Sequence, residues 1–266
     1  MSSFTTADTF SAFPATEVTV MIPRLLITGM LSGLIVALIA FSFAHVYSEP
    51  SIERAIALEE TSHHQHADAH EESVSRSVQR NAGLFVGIAS YCVALGGLLA
   101  IGLSSLHGRL RMRPRSTVWM LAAAGYIALV LIPQLKYPAS PPGIGTAETV
   151  GIRTELYFIL VMASALSMTM AAWIAYRLAH RATFLLAMIA GAATFVALAS
   201  AWIATMPAVS EVPRSFPPGL LLEFRVSAAA LQLIVWGGLG IVFGQVAEYV
   251  VGYGHADTSR RGIPNA

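Results

Sequence analysis

Six stretches of the chain run for about twenty residues each without a single Lys, Arg, Asp or Glu. They are Leu25–Tyr47, Ala82–Leu106, Thr117–Leu135, Leu156–Tyr176, Ala182–Met206 and Val226–Ala247. The hydrocarbon core of a bilayer takes roughly 20 apolar residues as helix, so each stretch predicts one membrane span. Charge, proline or both mark their ends. The fold class that follows is an all-α integral membrane protein, a bundle of about six transmembrane helices. The spans are expected to pair as three hairpins, each with a longer loop on one side and a short basic connection to the next. Residues 1–20, polar and threonine-rich, read as a disordered extension, 21–251 as the polytopic membrane domain and 252–266 as a tail. The first stretch is too long for a signal-peptide apolar region and has no basic lead beyond Arg24, so it reads as a retained span.

Composition agrees with the pattern. Hydrophobic residues make up 55% of the 266 and charged residues only 12%, about half the charged share of soluble domains. A net charge of +1 gives no global field for nucleic acid. The single cysteine, Cys92, excludes an internal disulfide framework and a multi-cysteine zinc site.

The distribution of charge carries more than its total. "HGRLRMRPRS" holds Arg109, Arg111, Arg113 and Arg115, "YRLAHR" holds Arg177 and Arg181, and the tail holds Arg260 and Arg261. With six alternating spans these fall on one side, which the bias of Lys and Arg toward cytoplasmic loops makes the inside. Both termini are then expected in the cytoplasm, with loops 48–81, 136–155 and 207–225 external. Most acidic residues lie in those external loops. Each of these loops also contains proline and ends on an arginine just before the next span: Arg80, Arg153 and Arg225.

Two constellations carry candidate chemistry. In "LEETSHHQHADAHEE", His63, His64, His66 and His70 lie between Glu59–Glu60 and Glu71–Glu72. Imidazole with carboxylate suits borderline divalent metals such as cobalt, nickel, zinc or copper. No fixed zinc-site spacing appears, so a loose, exchangeable collecting site is the reading; its bland counterpart is a solvated acidic loop. The second constellation is an external vestibule at the span ends, formed by Glu49, His45, Arg80, Lys136, Tyr137, Arg153, Glu211 and Arg225. Its alternative is ordinary snorkelling and helix-end anchoring of charged groups. His45, one turn before Glu49, is placed to receive a metal handed inward, or to be an interfacial residue bonded to backbone.

Within the spans the polar options for chemistry are few, and those singled out are Cys92, Gln134, Ser164, Ser167, Thr169 and Gln232. Met162, Met168 and Met170 read as packing before they read as soft ligands. No intramembrane carboxylate is present to serve a proton or sodium pump of that kind. The glycine pairs Gly29/Gly33, Gly83/Gly87 and Gly240/Gly244 allow close helix approach, either within the bundle or to another chain as in a homo-oligomer. No Walker A lysine loop, His-Glu-x-x-His helix or Gly-x-Ser-x-Gly elbow occurs, and no enzymatic activity is expected.

The blocks "SEPSIERAIALEE", "VSRSVQRNAGLF", "LKYPASPPGIG", "GIRTELY", "EVPRSFPPGLL" and "EFR", in this order, resemble the CbtA family of predicted cobalt transporter subunits, from about Arg24 to Glu248. The resemblance implies cobalt uptake for cobalamin synthesis across a bacterial inner membrane, beside a small single-span partner of the CbtB type. By position, the family's characteristic residues fall on Glu49, Pro50, Glu59, Glu60, Arg76, Gln79, Arg80, Lys136, Tyr137, Pro138, Pro141, Pro142, Arg153, Tyr157, Glu211, Pro213, Phe216 and Arg225. Ser140 stands where the family usually shows Asn, which removes an amide oxygen from that position. The resemblance also makes the histidine-rich insert a variable segment between two characteristic blocks. The rival reading is a non-transporting membrane scaffold that binds or senses metal and hands it to a partner. No cofactor beyond the transported or bound metal is implied.

Overall fold

The computed structural model describes residues 15–63, 78–107, 109–110, 112–145, 147–209, 212–213 and 215–261, with the side chains of 15–20, 60–63, 79, 147–148 and 253–261 left aside. All regular structure among the described residues is helical, and six helices are long and apolar enough to cross a membrane. Helix α1 runs over Ala15–Phe43, passes without a break through a π-turn at Ala44–Ser48, and continues over Glu49–His63. Helix α2 opens on a π-turn at Gln79–Gly83 and continues over Leu84–Leu106. Helix α3 comprises Pro114–Gly125, a π-turn at Tyr126–Leu131 and Ile132–Lys136. Helices α4, α5 and α6 span Ala147–Ala179, Phe184–Thr205 and Pro218–Arg261.

Local signals set several helix starts. Pro114 begins α3 after Arg113 in extended conformation, where the missing proline N–H costs nothing. Thr183 caps α5 by accepting from the Leu186 amide at 3.4 Å, one of the otherwise unpaired donors of a first turn.

The helices differ from the expected run of three hairpins in how they pair. α1 packs most closely on α2, α4 on α5, and α6 on both α1 and α3. The short connection His180–Thr183 makes α4 and α5 a hairpin, whereas α6 returns to fill the groove between α1 and α3. The main core draws Val36, Ala37 and Ala40 from α1, Leu95 and Leu99 from α2, Val118 and Ala122 from α3, and Trp236, Leu239 and Phe243 from α6. A small second core joins Ala171, Phe195 and Ala199 of the α4–α5 hairpin to Ile127 and Ile132 of α3. The outer faces are apolar and exposed, with Leu166 at 66% and Phe184 at 76%, as a lipid-facing surface requires.

Two of the glycine pairs are explained inside the bundle. A Cβ on Gly96 would lie 2.1 Å from the Gly29 carbonyl oxygen, and one on Gly33 would lie 2.3 Å from that of Cys92. The α1 and α2 backbones therefore touch, which supplies van der Waals contact where lipid offers no hydrophobic drive between helices. Gly240 and Gly244 meet Trp119 and Arg115 of α3. Gly87 faces open space. Of the three methionines on α4, only Met168 packs inward; Met162 and Met170 are exposed.

The membrane stretches read from sequence stop short of the helices, most of all in α1. Residues assigned to a loop from position 48 continue that helix for more than three turns, with Ser48, Glu49, Ser51 and Ala55 buried at helical spacing. This segment packs on α6. Small polar residues do the burying, so the segment reads as hydrophilic although one face is covered.

Candidate functional site

The ends of α1, α3 and α5 and the starts of α2, α4 and α6 come together at one end of the bundle. The arginines that precede spans two, four and six are all engaged there. Arg80 Nη1 donates to Glu53 Oε1 of α1. Arg153 Nη2 donates to the Pro138 carbonyl, and Arg225 Nε donates to the Ala139 carbonyl at 3.2 Å. Tyr137, 3% exposed, donates its hydroxyl to the Pro207 carbonyl at 2.7 Å beyond the end of α5. Three residues, Tyr137–Ala139, thus tie together the ends of α3, α4, α5 and α6. Burial pushes the Tyr137 phenol above its ordinary pKa, so it stays a neutral donor at physiological pH.

The rest of this connection turns back over α1. Gly143 has φ +79°, a left-handed conformation that favours glycine, and a Cβ there would lie 3.2 Å from Glu59 Cβ. The tip of the second loop therefore rests on the last described side chain of the α1 extension, where the histidine-rich segment begins. Arg54 of that extension pairs with Glu223 of α6. Arg54 and Glu53 were not among the vestibule residues expected from sequence. Their one signal there is the helical spacing of the buried residues around them, which turns both toward neighbouring helices. Both ion pairs are partly exposed and each adds at most about 1 kcal/mol, so they set geometry more than stability.

Glu49 is 2% exposed and is the buried carboxylate among the described residues. It follows the π-turn directly, and π-turns inside α-helices occur preferentially at functional sites. On the preceding turn the His45 Nδ1 and Ser48 Oγ are buried without hydrogen-bond partners among the described residues. The His45 ring stacks on Phe41 at 5.6 Å. Arg80 Nε, at the start of α2, is likewise buried and unpaired. Three polar atoms capable of holding a ligand or water thus lie buried at the end of the bundle where α1 and α2 carry Glu49 and Arg80. A half-open cleft of about 270 Å³ sits beside the loop hub, lined by Gln134, Tyr137, Ala139, Val150, Arg153, Thr154 and Tyr157. It contains donors and no carboxylate.

The residues named as a vestibule can be placed individually. Glu49, His45, Arg80, Lys136, Tyr137, Arg153 and Arg225 all lie at this end, while Glu211 is outside the described residues. Lys136 is half-buried with no ion pair among the described residues. Of the expected metal-collecting set, Glu59 is the one described side chain. Glu60 and His63 fall on the last helical turn without described side chains, and His64, His66, His70, Glu71 and Glu72 lie outside the described residues. Among the described residues no group of three or more His, Cys, Asp or Glu is placed to share one metal ion.

An Arg153→Ala, Arg225→Ala double variant should open this hub. Each guanidinium bond to a carbonyl is of the charged class, worth about 1.5–3 kcal/mol. Limited proteolysis of the detergent-solubilised protein should then cut within residues 137–145 at least tenfold faster than in the wild type. An unchanged cleavage rate would mean the two bonds do not hold the loop.

Neither a curated protein nor a solved structure matches the chain. A family model described as "Probable cobalt transporter subunit (CbtA)" matches residues 22–248. The match takes in α2 to α5 whole, all but the outer ends of α1 and α6, and each element of the hub, and its description names cobalt without extending to nickel or zinc. A multi-pass membrane protein whose helix ends converge on one polar, arginine-laced face, this chain belongs to the CbtA family of probable cobalt transporter subunits.

Proposed function

We propose that the chain imports cobalt, as the divalent ion, across the bacterial inner membrane for cobalamin synthesis, and that the Glu49 end is its external mouth. The family supplies the cargo class. The arginines of the opposite end, at Arg109, Arg113, Arg115, Arg177 and Arg181, support a cytoplasmic assignment for that side and for both termini. The observation that carries the mechanism is the buried Glu49 close in sequence to His45 Nδ1 and Ser48 Oγ, both buried with no hydrogen-bond partner among the described residues. Oxygen and imidazole donors are the ligand types a borderline divalent ion accepts.

In this reading the segment Glu59–Glu72, with its four histidines, raises the metal concentration outside. Its root at Glu59 touches the Gly143 turn, so ions released from it arrive beside the hub. His45 and Glu49 then take the ion at the membrane edge, and the inward-negative membrane potential favours its passage by about 2.3 kcal/mol per charge per 100 mV. A single-span partner of the CbtB type completes the transporter. The word "subunit" in the family description supports a partner.

Uptake of radiolabelled cobalt in cells lacking other importers tests the reading. Expressing the chain with its partner should raise accumulation at limiting cobalt. Unchanged accumulation, with the protein present in the membrane, would refute import. Flux into proteoliposomes separates a transporter from a metal-handing scaffold, because a scaffold binds metal without moving it across the bilayer.

A further inference from the structure

Below the hub, α2, α4 and α6 place polar groups together in an otherwise apolar region. The Tyr91 hydroxyl of α2 donates to Gln232 Oε1 of α6 at 3.3 Å. Tyr157 of α4, which also lines the cleft, is close enough to Tyr91 to interact electrostatically. One turn further on α6, Trp236 is 4% exposed; its indole Nε1 is within reach of the Tyr91 side chain but makes no well-formed hydrogen bond among the described residues. Two turns beyond Tyr157 on the same face of α4, about 10 Å deeper, Ser164 is fully buried with its Oγ unpartnered among the described residues. In a bilayer each such group needs a partner from protein or from water lining a cavity.

The surroundings mark this as more than loose packing. The Trp236 ring occupies the space beside Gly125, where a Cβ would lie 2.3 Å from it. Gly125 immediately precedes the π-turn Tyr126–Leu131 of α3. The polar layer therefore sits where α3 both changes to π-type hydrogen bonding and, at Gly125, leaves room for the Trp236 ring of α6.

We infer that Tyr91, Tyr157 and Gln232, continued by Trp236 and Ser164, line a hydrated route leading inward from the cleft, and that its ligand is a divalent cation still carrying its inner-sphere water. The inference rests on the import reading for the identity of its cargo. Two phenols, an amide and a hydroxyl cannot replace the hydration of a doubly charged ion, since none is anionic. They suit the ion's coordinated waters instead. A metal-bound water is a far stronger acid, hence a better donor, than bulk water. The Tyr91, Tyr157 and Ser164 oxygens and Gln232 Oε1 accept from it, and the Trp236 N–H donates to water. A neutral lining also avoids holding the ion so tightly that it cannot leave.

Cysteine accessibility tests this in proteoliposomes. In a Cys92→Ala background, Gln232→Cys and Ser164→Cys are compared with Leu166→Cys on the lipid-facing side of α4, each first shown to elute as a single species. A membrane-impermeant methanethiosulfonate, which needs water to reach and ionise the thiol, should label positions 232 and 164 at least tenfold faster than 166. Equal rates at all three positions would overturn the hydrated route whatever the cobalt flux. Wild-type vesicles test the cargo separately: labelling without cobalt flux would keep the route and discard the import reading. With flux present, Gln232→Leu should lower it about tenfold, and an unchanged rate would remove Gln232 from the lining.

Discussion

Gly96→Val is expected to take the protein apart along the α1–α2 seam. The added Cβ would lie 2.1 Å from the Gly29 carbonyl oxygen, and the reverse change at Gly29 would meet the Gly96 oxygen at 2.3 Å. Both obstacles are backbone, so no change of rotamer relieves them. The helices must move apart, which unpacks Val36, Ala37 and Ala40 from Leu95 and Leu99. Overpacking of this kind costs typically about 1–3 kcal/mol, and more where the obstacle is rigid. The readout is the fraction of protein that remains monodisperse on size-exclusion chromatography after heating in detergent. Gly87→Ala is the internal control, because nothing lies within 4 Å of a Cβ at that position. It should be neutral, or stabilising through better helix propensity by up to about 1 kcal/mol. Equal heat survival of Gly96→Val and wild type would show that the seam is not held by backbone contact.

Glu49→Gln should reduce cobalt uptake by about 10- to 100-fold while leaving the amount of protein in the membrane unchanged. The substitution keeps volume and hydrogen-bonding capacity and removes the charge. Interactions with a charged group are worth about 1.5–3 kcal/mol, which corresponds to this range. Deleting residues 61–70 is expected to act differently. A collector raises local concentration, so its loss should raise the cobalt needed for half-maximal uptake and leave the maximal rate intact. If the deletion abolishes uptake while Glu49→Gln does not, the collecting segment and the buried carboxylate have been assigned each other's roles.

How much of this was legible beforehand depends on the kind of signal. A run of twenty residues without charge is a coarse feature that survives any error in packing, so all six helices were readable. Their ends were not. The α1 extension buries Ser48, Glu49, Ser51 and Ala55, and a helix that covers itself with serine and alanine leaves no apolar stripe to see. The recurrence of an arginine before spans two, four and six was visible, and each of them is engaged. Their partners were hidden, since Arg153 and Arg225 bond to main-chain carbonyls of Pro138 and Ala139 and a carbonyl has no residue identity. The Tyr91–Gln232 contact required knowing that α2 neighbours α6. Gln232 alone could be singled out as polar within a span; Tyr91 was not, although a hydroxyl deep in an apolar run is itself a signal. The histidine segment was the most conspicuous feature of the sequence, and its geometry lies outside the described residues apart from its root at Glu59.

The backbone contact between α1 and α2 also decides where the molecule can bend. Two helices in carbonyl-to-glycine contact have no side chain between them that could repack to follow a change in their spacing. With α6 seated between α1 and α3, these helices behave as a fixed frame. The α4–α5 hairpin is fastened to that frame mainly by the small Ile127–Ile132 patch of α3 and by the bonds at Tyr137–Ala139. Any opening that widens the space beside Tyr157 therefore has its hinge there, with the hairpin as the moving arm and the loop hub as its latch.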